Sequence, residues 1–254
     1  MQPTLAEWLR EGPFSLCMSS GFFSFFAHAG LLGVLIDEGF LPERVSGSSA
    51  GALVTGAWAG GVEPHVLANA LMTLERKDFW DPSPGLGFLR GKRFREKVES
   101  LLNVRTFEAC RVPAAISVFD LASRKTRVLD HGPLAPAICA SCAVPGLFHP
   151  VWIDGRAYWD GGVLDRPGLL GMPENDRVLF HHIASRSPWR ASWLTRGSEQ
   201  MSIPKRQKMT TLVIEELPRS GPFRLSEGRR AFDVARAAAK EALARPVQSG
   251  EVRI

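Results

Sequence analysis

Residues 44–53, RVSGSSAGAL, hold three serines, Ser46, Ser48 and Ser49, among small residues. A serine hydroxyl is a weak nucleophile until a neighbour takes its proton and fixed donors meet the negative charge of a tetrahedral intermediate. A sharp turn from strand to helix serves both needs: it pushes the side chain out of the sheet edge and aims helix-start N–H groups at the developing oxyanion. That turn crowds two stretches of backbone, so small residues are needed two before and two after the serine. Ser49 alone has glycine at both positions, Gly47 and Gly51. Ser46 and Ser48 read as turn or helix-cap residues. The amide of Ala50, next after the nucleophile, becomes an oxyanion donor by the same geometry.

The base is less constrained. Six histidines are available, and the chain order serine, acid, histidine would pair His181 or His182 with Asp160 or Asp165. Both histidines lie in VLFHHIAS, which reads as the body of a strand, where neighbours point to opposite faces. A second arrangement uses RAYWDGG, in which Asp160 ends a strand and Gly161 and Gly162 let the backbone turn tightly behind it. A carboxylate can act as a direct general base if its surroundings raise its pKa and hold it within hydrogen-bond reach of the hydroxyl. The residues themselves leave both arrangements open, together with the plain reading of D-G-G as a turn.

These side chains need a scaffold, and the hydrophobic pattern supplies one. FSLCMS (14–19) reads as a short buried strand, followed by a turn and a helix over 25–38 that Gly39 and Pro42 stop. A strand ending near Val45 or Ser46 leads into the apolar helix AGALVTGAWAG, which fades at Gly60-Gly61. A helix from Pro64 through Arg76, an amphipathic helix in KRFREKVESLL and the strands AAISVFDL and TRVLD follow. A helix over 133–143 comes next, then VWIDGRAYWDGG as a hairpin turning at Asp154-Gly155, the strands VLFHHIAS and TTLVIEEL, and a last helix over about 228–244. The alternation implies an α/β domain with a mostly parallel central sheet, a single unit over 1–254 whose motif-bearing core spans about 14–217.

GSSAG on a strand-to-helix turn, ASCAVPGLFHPVWIDGRAYWDGG downstream and SSGFFSFFAHAGLLGVLIDEG near the N-terminus together resemble the patatin-like phospholipases. The resemblance covers residues 14–56 and 139–165 in three ordered blocks. It implies a three-layer α/β/α sandwich, a lipid acyl hydrolase activity and a Ser-Asp dyad without a catalytic histidine. Ser49 would be the nucleophile, and Asp160 the proton acceptor. The family's glycine-rich oxyanion loop falls on Ser20-Gly21-Phe22, so the amides of Gly21 and Phe22 join Ala50 as donors. Many bacterial members carry three glycines there and a basic residue two positions later; this chain has one glycine, and Ser24 at the later position. No cofactor or metal is implied. Acyl transfer through the same acyl-enzyme, or a catalytically silent lipid-binding protein, are the alternatives.

Composition bounds the rest. At 254 residues, 45% hydrophobic and 22% charged, the chain can bury a sizeable core. Its net charge of +5 is concentrated in residues 186–254, with 14 Lys/Arg against 7 Asp/Glu. No nucleic-acid module is recognisable there, so the expected partners are a lipid or acyl-ester substrate and peripheral membrane contact through this basic third. Trp189 and Trp193 in SPWRASWLTRG would sit at such an interface, and Phe22, Phe23, Phe25 and Phe26 suggest either an oily approach to the site or helix core. The charge-free run from Pro13 to Ile36 is punctuated by serines, Gly21 and His28, which favours strand, turn and helix over a membrane span or signal peptide. The four cysteines, including the Cys139–Cys142 pair, lack the context of a redox or zinc motif and read as buried free thiols. A cytoplasmic location follows as the expectation.

Overall fold

The first strand, β1 (Ser15–Met18), is buried along its whole length, as a parallel strand covered on both faces must be. In the computed structural model, which describes residues 2–184 and 204–254, it lies near the middle of a large sheet. Before it comes α1 (Leu5–Arg10), whose start is fixed by a capping box: Thr4 Oγ1 accepts from the Glu7 amide, and Glu7 accepts from the Thr4 amide. After it come α2 (Phe25–Asp37), β2 (Arg44–Ser48), α3 (Ala50–Ala59) and α4 (Pro64–Met72). Then follow β3 (Gly87–Leu89), α5 (Lys92–Leu101), β4 (Ala114–Asp120), β5 (Lys125–Leu129) and α6 (Leu134–Ser141). The chain continues through β6 (Gly146–Phe148), β7 (Val151–Ile153), β8 (Arg156–Asp160), β9 (Val178–His182), β10 (Met209–Val213), α7 (Leu225–Leu243) and β11 (Glu251–Arg253).

The main sheet runs β11-β10-β9-β1-β2-β4-β8-β7, with β5 also on β4. Pairings from β11 through β4 are parallel, while β4–β5, β4–β8 and β7–β8 are antiparallel. One register matters most for function. β5 occupies one edge of β4 over residues 116–120, so β2 and β8 must share the other. β2 takes it as far as Ser48↔Ser117, and β8, running the opposite way, ends at Val118↔Asp160. The C-terminal ends of β2 and β8 therefore meet head-on along one edge of β4.

Alternation sorts the strand residues between two apolar clusters. Leu16, Met18, Val45, Ile116, Val118, Leu179 and Leu212 join the helices in the larger one. Cys17, Val178, Phe180 and Met209 meet Leu169 and Met172 in the smaller one. In the middle of that second face β2 and β4 present Ser46, Ser48, Ala115 and Ser117, small enough for chain 161–172, with its short 3-10 turns, to lie directly on the strands. Ser46 Oγ donates to the Gly168 carbonyl at 2.5 Å. On the first face α2 packs closely along α7, where Gly30 faces the Phe232 carbonyl.

Two helix boundaries and the burial of two cysteines depart from the sequence expectation. The helix opened by Pro64 ends at Met72 instead of Arg76, because the Thr73 hydroxyl caps the Asn69 carbonyl and a separate 3-10 turn begins at Arg76. The last helix starts at Leu225 instead of Gly228; that glycine is interior because any side chain there would overlap the Phe26 ring. Cys17 and Cys139 are buried free thiols, whereas Cys110 and Cys142 are only half-buried at helix ends, one after a 3-10 turn and the other after α6.

Candidate active site

Ser49 occupies the turn between β2 and α3 with φ 52° and ψ −118°, a left-handed conformation that costs a non-glycine residue of order 1–3 kcal/mol. Close packing over-determines it. A Cβ on Gly47 would stand 2.5 Å from the Gly51 carbonyl carbon, and one on Gly51 would overlap the Met18 carbonyl at the end of β1. The two glycines thus let β1, β2 and α3 converge under the serine. The Ser49 amide donates to Ser141 Oγ at 2.8 Å, and Ser141 Oγ donates in turn to the Ser117 carbonyl at 2.7 Å. The Cys142 thiol donates to the Ser49 carbonyl at 3.2 Å.

At the head-on junction of β2 and β8, the half-buried Ser49 donates its Oγ hydrogen to Asp160 Oδ2 at 2.7 Å. The other oxygen, Oδ1, accepts from the Gly162 amide at 2.7 Å. Gly161 is required by contact, since a Cβ there would overlap the Ser117 carbonyl and lie 2.9 Å from Ser48 Oγ. Asp160 is buried, and loss of hydration pushes its carboxyl up to about 6; the hydrogen bonds from Ser49 and Gly162 and the charge of Arg166 offset only part of that rise. The pair therefore joins a hydroxyl to a carboxylate whose pKa is near neutrality.

The loop after β1 lies at the same sheet end, because Met18 pairs with Gly47 in parallel register. Its chain is clamped on three sides: the Ser20 amide donates to the Arg166 carbonyl, the Ile183 amide to Ser19 Oγ, and His28 Nε2 to the Ser19 carbonyl. Among the described residues, the amides of Gly21, Phe22 and Ala50 have no protein acceptor. Phe26 is core, whereas Phe22, Phe23 and Phe25 are half-buried. Trp189 and Trp193 lie outside the described residues.

The histidines take another course. His181 points toward α2, where its Nδ1 meets His28 Nδ1 at 2.8 Å. The Ser19 carbonyl can only accept, so His28 carries its proton on Nε2 and receives at Nδ1. Burial pushes His181 well below the usual imidazole range, and His28 and His182 down to about 4, so all three are neutral at neutral pH. Neither His181 nor His182 reaches Ser49. Asp165 binds Ser117 Oγ and the amides of Gly168 and Leu170, which makes it the organiser of its own loop. Ser141 and His28 were not singled out from sequence for any role at the site; nothing in the spacing of ASCAVPG or FFAHAG marks either as a support for a turn elsewhere.

Among the described residues, no group of three or more His, Cys, Asp or Glu is arranged to hold a metal ion, and no helix is long and apolar enough to cross a membrane. A sequence profile of the patatin-like phospholipases matches residues 16–171. An uncharacterized NTE family protein of Mycobacterium tuberculosis is 32% identical over 154 residues, which cover 59% of this chain and 43% of that protein. The chain thus spans less than half the length of the curated relatives it matches, a Mycobacterium bovis counterpart included. The crystal structure of VipD from Legionella pneumophila shares the fold, with a TM-score of 0.65 over 91% of this chain and 66% of that one at 15% identity.

Proposed function

The chain belongs to the patatin-like phospholipase family, and from that premise we propose that it is a serine acyl hydrolase acting on lipid esters through a Ser49–Asp160 dyad. The observation that carries this reading is the 2.7 Å hydrogen bond from Ser49 Oγ to a buried carboxylate. As Oγ attacks the ester carbonyl carbon, Asp160 Oδ2 takes its proton. The carbonyl oxygen becomes an oxyanion and is met by the amides of Gly21, Phe22 and Ala50. Collapse of the tetrahedral intermediate breaks the ester C–O bond, and the departing alcohol leaves with the proton from Asp160. Water then attacks the acyl-enzyme, its proton passing to Asp160 and on to Ser49 Oγ as the carboxylic acid is released.

The Asp160 pKa near 6 gives this chemistry a pH signature. The protonated carboxyl cannot accept the serine proton, so turnover rises as pH climbs through about 6 and then levels. The test is hydrolysis of a medium-chain ester by wild type, Ser49→Ala and Asp160→Asn, with circular dichroism as the check of folding. Ser49→Ala is expected to lose turnover, and Asp160→Asn to fall by about 100-fold or more, the usual worth of a positioned base. A folded Asp160→Asn protein with wild-type turnover would sink the dyad.

A further inference from the structure

Two sets of aromatic ring contacts, joined through the adjacent residues Phe79 and Trp80, lead from the proposed oxyanion loop to the surface. Phe22 meets Phe23 at 5.0 Å between ring centroids, and Phe23 meets Phe79 at 5.7 Å. The neighbouring Trp80 then contacts Phe88 at 5.6 Å and Phe223 at 5.5 Å. The outer end of this path faces water: Phe88 is 52% exposed, Phe223 69%, and Leu86 beside β3 67%. Large apolar side chains gathered in this way, away from the core, mark an interaction surface.

The surrounding charge selects the partner. Residues 75–97 hold seven Lys/Arg against four Asp/Glu. The Arg76 guanidinium lies over both Trp80 and Phe223, at 5.6 and 5.5 Å. Arg93 donates to the Lys77 and Trp80 carbonyls. Among the described residues, the guanidinium groups of Arg76, Arg90 and Arg93 have no carboxylate partner. Exposed aromatics rimmed by uncompensated cations match the headgroup region of an anionic bilayer, where rings settle at the acyl boundary and arginines meet phosphates.

We infer that the face formed by Arg76, Trp80, Leu86, Phe88, Arg93 and Phe223 docks the protein on an anionic phospholipid membrane, with Phe22 at the junction between that surface and the catalytic turn. This rests on the lipid acyl hydrolase reading, to which it adds the side of the molecule that meets the substrate's bilayer. To the membrane contact expected through the basic C-terminal third, in which Phe223 lies, it adds residues 76–93.

The test is co-sedimentation with phosphatidylcholine vesicles, with and without phosphatidylglycerol, for wild type, Phe88→Ser/Phe223→Ser and each single variant, which covers poor folding of the double. Turnover of a soluble short-chain ester is read in parallel. Wild type is expected to partition onto the phosphatidylglycerol vesicles, and less so as salt is raised. The double variant should lose about tenfold or more of that partitioning, as the removal of two inserting rings implies, while keeping soluble-ester turnover. Ser49→Ala should bind vesicles like wild type and leave the soluble ester uncut; a wild type that binds vesicles without cleaving the ester would sink the hydrolase reading and leave the docking face standing, and hydrolysis by Ser49→Ala would sink Ser49 as the nucleophile alone. Wild-type partitioning by the double variant, indifference to phosphatidylglycerol, no vesicle binding by wild type, or a patch whose loss only dissociates a dimer on size exclusion would each overturn the docking face.

Discussion

Asp160 sits in the folded protein at a cost to stability, and the sign of that cost can be measured. Its carboxyl ionises near the ordinary 3.8 in the unfolded chain but near 6 when buried beside Ser49. Between those values the unfolded chain has released a proton that the folded one retains. The favourable contribution is therefore complete below about 4 and is lost as pH rises through about 6. Asp160→Asn is expected to raise stability at pH 8 by about 1–3 kcal/mol, with little gain at pH 3.5, read from urea unfolding at the two pH values. Equal stability of the two proteins at pH 8 would mean that burial does not penalise the carboxylate. The glycine spacing around Ser49 made the turn legible from sequence, since each glycine answers to a backbone contact. Asp160, 111 residues away, was one of two arrangements that the residues left open, and the family resemblance chose it. Local sequence carries no sign that β8 will abut β2.

At the scale of elements, the turn depends on support from α6. Ser141 Oγ links the Ser49 amide to the Ser117 carbonyl, so one hydroxyl ties the strained residue to β4. Ser141→Ala leaves a part-buried amide and a buried carbonyl without that partner. It is expected to cost about 1–3 kcal/mol by denaturant unfolding, and to lower ester turnover more than the affinity for ester, because the turn loses definition. Unchanged kcat with raised KM would instead place Ser141 in substrate binding. Most elements followed from hydrophobic period and punctuation: β1, α2, β2, α3 and the Asp154-Gly155 hairpin lie within a few residues of expectation. The two-stranded β3–β6 sheet did not, because three-residue strands in a Gly- and Pro-rich loop carry no period. α1, absent from the expected elements, has a readable sign in the capping-box spacing of Thr4 and Glu7.

The described residues form a mostly parallel sheet flanked by helices, with the site at the C-terminal ends of its strands and α2 packed on α7 over one face. That face is held by the close approach of α2 and α7, where a Cβ on Gly30 would come within 2.6 Å of the Phe232 carbonyl. Gly30→Val forces the two helices apart, with an expected loss of about 1–3 kcal/mol in thermal or denaturant unfolding. Because α2 also carries His28, which fixes the Ser19 carbonyl ahead of the oxyanion loop, turnover should fall with it. A Gly30→Val protein as stable as wild type would show that the helices have room to spare. The α/β class and the mostly parallel sheet were legible from the alternation of elements. The neighbours of β9, β10 and β11 were not, since strand order beyond the first crossover depends on contacts that no local pattern encodes.

The central claim, that Ser49 is a nucleophile activated by Asp160, is tested most directly by fluorophosphonate labelling with peptide mapping on wild type, Ser49→Ala and Asp160→Asn. The account predicts one labelled peptide containing Ser49 in wild type, no label in Ser49→Ala, and labelling slowed by about 100-fold or more in a folded Asp160→Asn protein. Label on another residue, or wild-type labelling of Asp160→Asn, would contradict it.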